Sequence, residues 1–208
     1  MLHLETLEPG ALAILKRLMA VPALQDYSLV GRTALALRYG HRLSVDLDLF
    51  SERKMDHAKV LKGLSKEFGG DFEYKPSKAT WAVFCRVAGV KVDVVRYPHT
   101  RIAEVVEIDG IRLYDDVDIA PMKLQAILGR GKKKDFWDLH ELLKAHGLQW
   151  IMDKHAIKYP NHMLAISIPH AITYFVDAEY SDDPVSLKGQ TWDAIKASIS
   201  KTVSDYLK

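Results

Sequence analysis

A run of alternating apolar and polar residues at positions 44–50 constrains the fold of this chain more than any other feature. Period-two alternation is typical of a strand with one buried face, and it places Asp46 and Asp48 together on the other face. Aspartate is rare in strands, and two on one face lie about 6.5–7 Å apart at the backbone. At that separation both carboxylates can reach one divalent cation, whereas without a cation they repel each other. The alternating residues are Ser44, Val45, Asp46, Leu47, Asp48 and Leu49.

A glycine turn precedes this run. A predicted strand at residues 27–30 ends at Gly31, and a short helix predicted over residues 33–39 ends at Gly40. A strand that turns directly into a helix aims unpaired backbone N–H groups and the positive end of the helix dipole at one spot, which suits a phosphate group. A tight turn without any ligand has the same pattern, so the turn by itself leaves both interpretations open.

A third carboxylate, Asp93, lies on a strand predicted over residues 90–95, which follows a turn at Gly89. The spacing from Arg32 to Asp46 allows a short helix and a return into an adjacent strand. The glycine turn and the carboxylates would then meet at one end of a small sheet. Two divalent ions held by three aspartates can activate an attacking hydroxyl and stabilise a leaving pyrophosphate.

The remaining pattern predicts an α/β (α+β) protein with a small mixed sheet, flanking helices and a helical C-terminal part. We expect a core with the metal-binding sheet at residues 1–115. A helical region at residues 116–208 would complete the active-site cleft. Further helices are predicted at 9–20, 56–68, 134–145, within 151–176 and at 191–207, with one more beginning at Asp118. Further strands are predicted at 72–74, 80–87 and 108–113.

The composition is that of an ordinary soluble globular protein, with 48% hydrophobic and 27% charged residues in 208. A net charge of +2 is too small to indicate a polyanionic partner. The single cysteine, Cys85, excludes an internal disulfide framework. No apolar run has the roughly 18–20 residues that a membrane span requires, and the first residues do not resemble a signal peptide. We therefore expect a cytoplasmic protein with no membrane partner.

Several other enzyme classes lack their motifs. The segment from Gly129 to Lys132 does not have P-loop spacing and follows a helical rather than a strand pattern. The sequence contains no Cys-x-x-Cys or His-Glu-x-x-His zinc motif and no Gly-x-Ser-x-Gly nucleophile elbow.

Together, Gly31, Asp46, Asp48 and Asp93 resemble the signature of the polymerase-β-like nucleotidyltransferase superfamily. The wider segment LVGRTALALRYGHRLSVDLDLF is similar to the AbiEii/AbiGii toxin family of nucleotidyltransferases. The resemblance extends to Lys123, to the segment RGKKKDFWDL and to the ending YFVDAEYSDDP…TWDAIKASI. It therefore covers most of the chain.

The resemblance implies transfer of NMP from an NTP to an acceptor hydroxyl, with Mg²⁺ or Mn²⁺ as cofactor. It implies a toxin of a toxin–antitoxin or phage-defence system, with a cognate antitoxin and with tRNA or another RNA as acceptor. Asp138 would be structural or secondary. The implied site residues are Asp46, Asp48 and Asp93 as metal ligands, Gly31, Arg32, Thr33 and Lys123 along the nucleotide, and Asp135 orienting the nucleotide or acceptor.

One position departs from the family pattern, since Arg32 stands where a glycine or serine is usual. Its guanidinium could contact phosphate or block the pocket, which keeps a non-catalytic nucleotide- or partner-binding module as an alternative. A small-molecule or protein hydroxyl is an alternative acceptor. The densest basic run could be a solvated surface or could contact RNA; it comprises Arg130, Lys132, Lys133 and Lys134.

Overall fold

The structure is a computed structural model that describes residues 1–129 and 131–208. Its N-terminal part alternates helices and strands, whereas its C-terminal part is helical. The strands are β1 (Ser28–Val30), β2 (Leu47–Ser51), β3 (Phe72–Tyr74), β4 (Ala82–Val87), β5 (Val90–Arg96), β6 (Val106–Ile108) and β7 (Ile111–Leu113). The helices are α1 (Pro9–Ala20), α2 (Gly31–Tyr39), α3 (His57–Phe68), α4 (Asp116–Gly129), α5 (Lys133–His146), α6 (Leu148–Lys158), α7 (Ile168–Thr173), α8 (Val176–Glu179) and α9 (Trp192–Tyr206).

Within the described residues, the seven strands form one mixed sheet in the order β3-β4-β5-β2-β1-β7-β6. The pairs β2–β5 and β1–β7 are parallel, and the other neighbours are antiparallel. The predicted fold class is therefore confirmed. The two central strands of the carboxylate motif, β2 and β5, are side by side although more than thirty residues of chain separate them.

The central strands bury one face of the sheet and leave the other for chemistry. Leu47, Leu49, Val92 and Val94 are essentially inaccessible to solvent, and each such side chain contributes about 1.5–3 kcal/mol by leaving water. Helices α1 and α3 pack against strands β7 and β4. Asp48 alternates with the buried leucines and is therefore on the opposite face.

The first half of the predicted carboxylate strand is not a strand. Strand β2 begins at Leu47, so Asp46 precedes it and Val45 is exposed rather than buried. Pairing with β1 reaches only as far as Val30↔Asp48, because the chain turns into α2 at Gly31. The preceding backbone is held elsewhere, since the hydroxyl of Thr33 donates to the carbonyl of Asp46.

Two other boundaries also differ from the prediction. The segment at 108–113 is not one strand, because it contains the turn of the β6–β7 hairpin. Asp109 and Gly110 in that turn have φ angles of 54° and 75°, as expected for a type I′ turn. Helix α4 begins at Asp116 rather than Asp118, so Pro121 lies inside the helix. Asp118 does not cap a helix but is a buried acceptor for Lys158.

Candidate active site

A single row of register partners crosses the sheet at the level of the second aspartate. Phe84 on β4 is opposite Asp93, Asp93 is opposite Asp48, and Asp48 is opposite Val30. Paired residues of neighbouring strands lie on the same face. The row therefore has an aromatic ring at one end, two carboxylates in the middle and the Gly31 turn at the other end.

Gly31 is the residue that brings the turn against the carboxylates. Its φ of 68° lies in the left-handed region, where residues other than glycine are strained. A Cβ atom at this position would also lie 3.0 Å from Oδ2 of Asp48. Both the backbone angle and the close approach thus require glycine, which accounts for the sequence pattern that predicted this turn.

The two carboxylates in the row are incompletely neutralised. Burial raises the pKa of Asp48; the guanidinium of Arg32 acts in the opposite direction, and the charge of Asp93 adds to the rise. Oδ2 of Asp93 accepts a hydrogen bond of 2.6 Å from Nζ of Lys91. Oδ1 of Asp93 is buried and has no hydrogen-bond partner among the described residues. A buried, unpaired carboxylate oxygen of this kind is costly unless a ligand completes it.

The third carboxylate, that of Asp46, forms an ion pair with Arg32, the residue that departs from the family pattern. The guanidinium of Arg32 donates to Oδ2 of Asp46 at 2.6 Å, with 14% and 23% of the two side chains exposed. Thr33 was predicted to line the nucleotide, but its side chain is fully buried and bonds to Ser44 and to the backbone of Asp46. Thr33 thus supports the Asp46 backbone.

The donor set is chemically suited to a hard divalent cation, because Mg²⁺ and Mn²⁺ prefer carboxylate oxygens. In the part of the chain that the structure describes, no three His, Cys, Asp or Glu side chains are grouped closely enough to form a metal site by themselves. The carboxylate of Asp46 is paired with Arg32. Asp48 and Asp93 remain adjacent on the sheet, and the unpaired oxygen of Asp93 fits a cation ligand.

A second set of charged residues, centred on Asp138, is almost completely buried, and its member Lys123 lines the cleft. Asp138 accepts from His41 at 2.8 Å, from Arg42 at 2.8 and 3.0 Å, and forms an ion pair with Lys123 at 2.8 Å. Burial opposes ionisation of Asp138, but Arg42 and Lys123 outweigh it and hold the pKa of this carboxyl well below its usual range. Asp138 lies on α5. It thus links this helix to Lys123 on α4 and to the loop after α2, which carries His41 and Arg42.

Lys123 connects this buried network to the cleft. Only 4% of its side chain is exposed, and its ammonium also contacts Asp135 at 2.9 Å. Asp135 is itself inaccessible and accepts the backbone N–H of Lys132 at 3.3 Å. The structure thus brings Lys123 and Asp135 together, with Lys123 at the cleft wall and Asp135 behind it. Asp138, for which the resemblance implied only a structural or secondary role, is the centre of the network.

Two cavities meet at Arg32. The cleft, as we call the first, has a volume of about 490 Å³ and is lined by Asp48, Asp93, Lys123, Trp81 and Phe84 among others. The second, the lysine cavity, has a volume of about 670 Å³ and is lined by Arg32, Arg42, Asp46, Lys132 and Lys134 among others.

The predicted basic run is divided by the structure. Lys132 and Lys134 line the lysine cavity. Lys133 does not line this cavity, and its ammonium forms an ion pair of 2.7 Å with Asp183, which does. Arg130, which belongs to the same prediction, lies outside the described residues.

Trp81 and Phe84 are cleft residues that sequence reasoning did not single out. The available signal is weak but present, since Phe84 is an aromatic residue at a solvent-facing position of an alternating strand.

No described helix is both long and apolar enough to cross a bilayer.

Comparison with known proteins supports the chemistry that this geometry suggests. The chain is 33% identical over 207 residues to an uncharacterized protein of Aquifex aeolicus (strain VF5), aq_aa25, with 93% of this chain and 94% of that protein covered. MenT4, a nucleotidyltransferase toxin from Mycobacterium tuberculosis H37Rv, has a TM-score of 0.58 at 15% identity, with 93% and 82% of the two chains covered. JHP933 from Helicobacter pylori has a TM-score of 0.56 at 19% identity, with 95% and 92% covered.

At these identities the two solved structures show a shared fold alone. The family assignment comes from the sequence, because residues 13–159 match the family described as nucleotidyl transferase AbiEii toxin, type IV TA system. That match covers the glycine turn, all three candidate metal ligands, Lys123 and Asp135. The chain therefore belongs to the AbiEii family of nucleotidyltransferase toxins.

Proposed function

We propose that the protein transfers NMP from an NTP to a hydroxyl group of an RNA, with Mg²⁺ or Mn²⁺ held by Asp46, Asp48 and Asp93. The observation that carries this proposal is the row in which Asp48 and Asp93 are register partners and the Gly31 turn lies against Asp48. It sets a phosphate-binding turn beside paired carboxylates, as phosphoryl transfer requires.

The bond changes define what the site has to stabilise. The acceptor oxygen forms a bond to the α-phosphorus, the bond from that phosphorus to the bridging oxygen breaks, and pyrophosphate leaves with the electron pair. The hydroxyl proton passes to solvent. Divalent ions at the three aspartates would supply Lewis acidity to the attacking and leaving oxygens.

The triphosphate fits the end of the row at Gly31. The first turn of α2 presents backbone N–H groups there, and Arg32, Lys132 and Lys134 line the adjoining lysine cavity. Arg32 would leave Asp46 for the phosphates, which frees the Asp46 carboxylate for a cation. The sequence left the basic run open between a solvated surface and an RNA contact, and the position of Lys132 and Lys134 beside Arg32 supports contact with the triphosphate instead.

The region at residues 116–208 would complete the cleft through Lys123, which lines it together with Asp48 and Asp93 and would neutralise phosphate charge. Asp135 would act by holding the Lys123 ammonium in position, since the two are 2.9 Å apart. As a toxin, the protein would be counteracted by a cognate antitoxin. Co-expression with the protein encoded by the neighbouring reading frame should restore growth if that protein is the antitoxin.

The test is incubation with each labelled NTP, Mg²⁺ and total cellular RNA. Wild-type protein should label RNA and release pyrophosphate, and Asp48→Asn should lose labelling by on the order of 1,000-fold, since a group that stabilises transition-state charge is removed. Asp71→Asn is the matched control, because Asp71 is exposed and lines neither cavity.

Two outcomes would contradict the proposal. Unimpaired labelling by Asp48→Asn would exclude the carboxylate mechanism. NTP binding by the wild-type protein without pyrophosphate release on any acceptor would indicate a binding module, as the Arg32–Asp46 ion pair would allow. Label on a protein or small molecule instead of RNA would keep the chemistry and change the acceptor.

A further inference from the structure

We propose that Trp81 and Phe84 form a stacking platform for an unpaired base of a single-stranded nucleic-acid acceptor, next to its reacting hydroxyl. The proposal rests on the proposed function, because it assigns the acceptor end of the same cleft. It makes an accessible base, rather than a protein side chain or a saturated small molecule, the feature that the enzyme recognises.

The two aromatic side chains are unusually open for their size. Trp81 is 51% exposed and Phe84 is 41% exposed, and their rings meet edge to face with centroids 5.7 Å apart. A single exposed apolar residue on a surface needs no explanation. Here, however, two large aromatic rings are in contact and line the same cleft as Asp48 and Asp93.

Their position in the sheet assigns them to the acceptor rather than to the NTP. Phe84 is the register partner of Asp93 and lies two strands further from the Gly31 turn than Asp48 does. Neighbouring strands are about 4.8 Å apart, so the Phe84 backbone is roughly 10 Å from that of Asp48. With the triphosphate at Gly31 and the reacting phosphorus above the carboxylates, the attacking group approaches from the side of Phe84.

The platform is fixed by the backbone on which it stands. Phe84 lies within the β4–β5 ladder. The carbonyl of Trp81 accepts the backbone N–H of Arg96 at 2.8 Å. Because the backbone is already fixed, only the χ angles of the two rings have to be ordered when a base stacks on them, which favours binding.

Charge around the platform favours a nucleic acid over an uncharged aromatic ligand. Lys91 lies on the cleft wall with 44% of its side chain exposed. Its register partner Arg86 is also exposed. Aromatic rings beside cationic side chains are the arrangement by which proteins bind single strands, with bases on the rings and phosphates near the cations.

The experiment measures binding separately from catalysis. A fluorescently labelled single-stranded RNA oligonucleotide is titrated with full-length Asp48→Asn protein, alone and combined with Trp81→Ala or Phe84→Ala, and anisotropy is recorded. We expect each alanine variant to weaken binding by about tenfold. Trp81→Phe keeps a ring and should stay within about threefold, and a blunt-ended duplex should bind more weakly than the single strand. Tyr174→Ala is the control, since Tyr174 is an exposed aromatic that lines neither cavity.

In the catalytically active background the same alanine variants should raise the KM for RNA and leave the KM for NTP unchanged. A raised KM for NTP alone would assign the pair to the donor base and overturn the proposal. Oligonucleotide binding within twofold of the parent protein, in variants whose circular dichroism and melting temperature are unchanged, would also overturn it. Because binding is measured on the Asp48→Asn background, an absence of nucleotidyl transfer would contradict the proposed function and leave this measurement intact.

Discussion

Asp138 and the pair Asp48 and Asp93 lie in the same part of the molecule, but they differ in how far their negative charge is compensated. Asp138 is fully buried and has three cationic or imidazole partners, so its charge is completely compensated. Asp48 and Asp93 line an open cleft, and one oxygen of Asp93 is buried without a partner. The pKa of Asp138 is lowered and that of Asp48 is raised. We expect the fully paired carboxylate of Asp138 to stabilise the fold. The incompletely paired carboxylates of Asp48 and Asp93 can accept a ligand.

The largest effect on stability is expected from removing the fully paired carboxylate of Asp138. Asp138→Ala leaves Arg42 and Lys123 buried without their common counter-ion, and removing one partner of a buried ion pair costs about 3–5 kcal/mol of unfolding free energy. Urea denaturation of the variant and the wild type should show this loss. A change below about 1 kcal/mol would mean that the network is not structural.

The pH dependence of stability should separate the two groups. Because the pKa of Asp138 is lower in the folded than in the unfolded protein, its contribution is present above the ordinary value of 3.8 and is lost as the pH falls below it. The stability difference between wild type and Asp138→Asn should therefore shrink on acidification below about pH 4. A difference that is constant with pH would contradict the assigned charge.

Removing the incompletely paired carboxylate of Asp48 should leave the stability of the protein unchanged or increase it. Asp48→Asn removes a desolvated charge that Asp93 repels, so we expect an unfolding free energy equal to the wild-type value or higher by about 1 kcal/mol. Chemical denaturation in EDTA measures this. A clear destabilisation would show that Asp48 has a structural role comparable to that of Asp138.

Arg32 pairs with Asp46, the third candidate metal ligand. Removing its guanidinium should therefore strengthen cation binding in the cleft. Arg32→Ser frees Asp46 from a charge-assisted hydrogen bond of about 1.5–3 kcal/mol, so the Mn²⁺ concentration for half-saturation should fall by roughly tenfold. Electron paramagnetic resonance of free Mn²⁺ reports binding directly. Arg53→Ser is the control, because Arg53 makes an exposed ion pair with Asp26. Weaker Mn²⁺ binding in Arg32→Ser would assign the guanidinium a supporting role.

The smallest effect is expected at the rim of the lysine cavity. Lys134→Met should raise the KM for NTP by about threefold, the scale of one partly exposed charge contact. Lys133→Met should leave it unchanged, since Lys133 pairs with Asp183. If Lys134→Met instead raises the KM for RNA and lowers its salt dependence, the basic run contacts RNA as the sequence suggested.

Much of the fold could be predicted because local rules decide it. Alternation gave the buried strands, and the Gly31 turn gave the approach to the carboxylates through a left-handed φ. The start of β2 could not be predicted in this way. It depends on where β1 ends beside it, which is a property of the pairing and not of residues 44–46.

The sequence by itself determined the family of this protein, since residues 13–159 match the AbiEii nucleotidyltransferases, and the residue types and spacing of Gly31, Asp46, Asp48 and Asp93 predict a phosphoryl-transfer site. Only the tertiary structure decided which carboxylates are free and which are paired. Asp46 meets Arg32, and Asp138 meets Arg42 and Lys123, through contacts between segments far apart in the chain. Charge compensation depends on distance in space, and a linear pattern does not contain that distance.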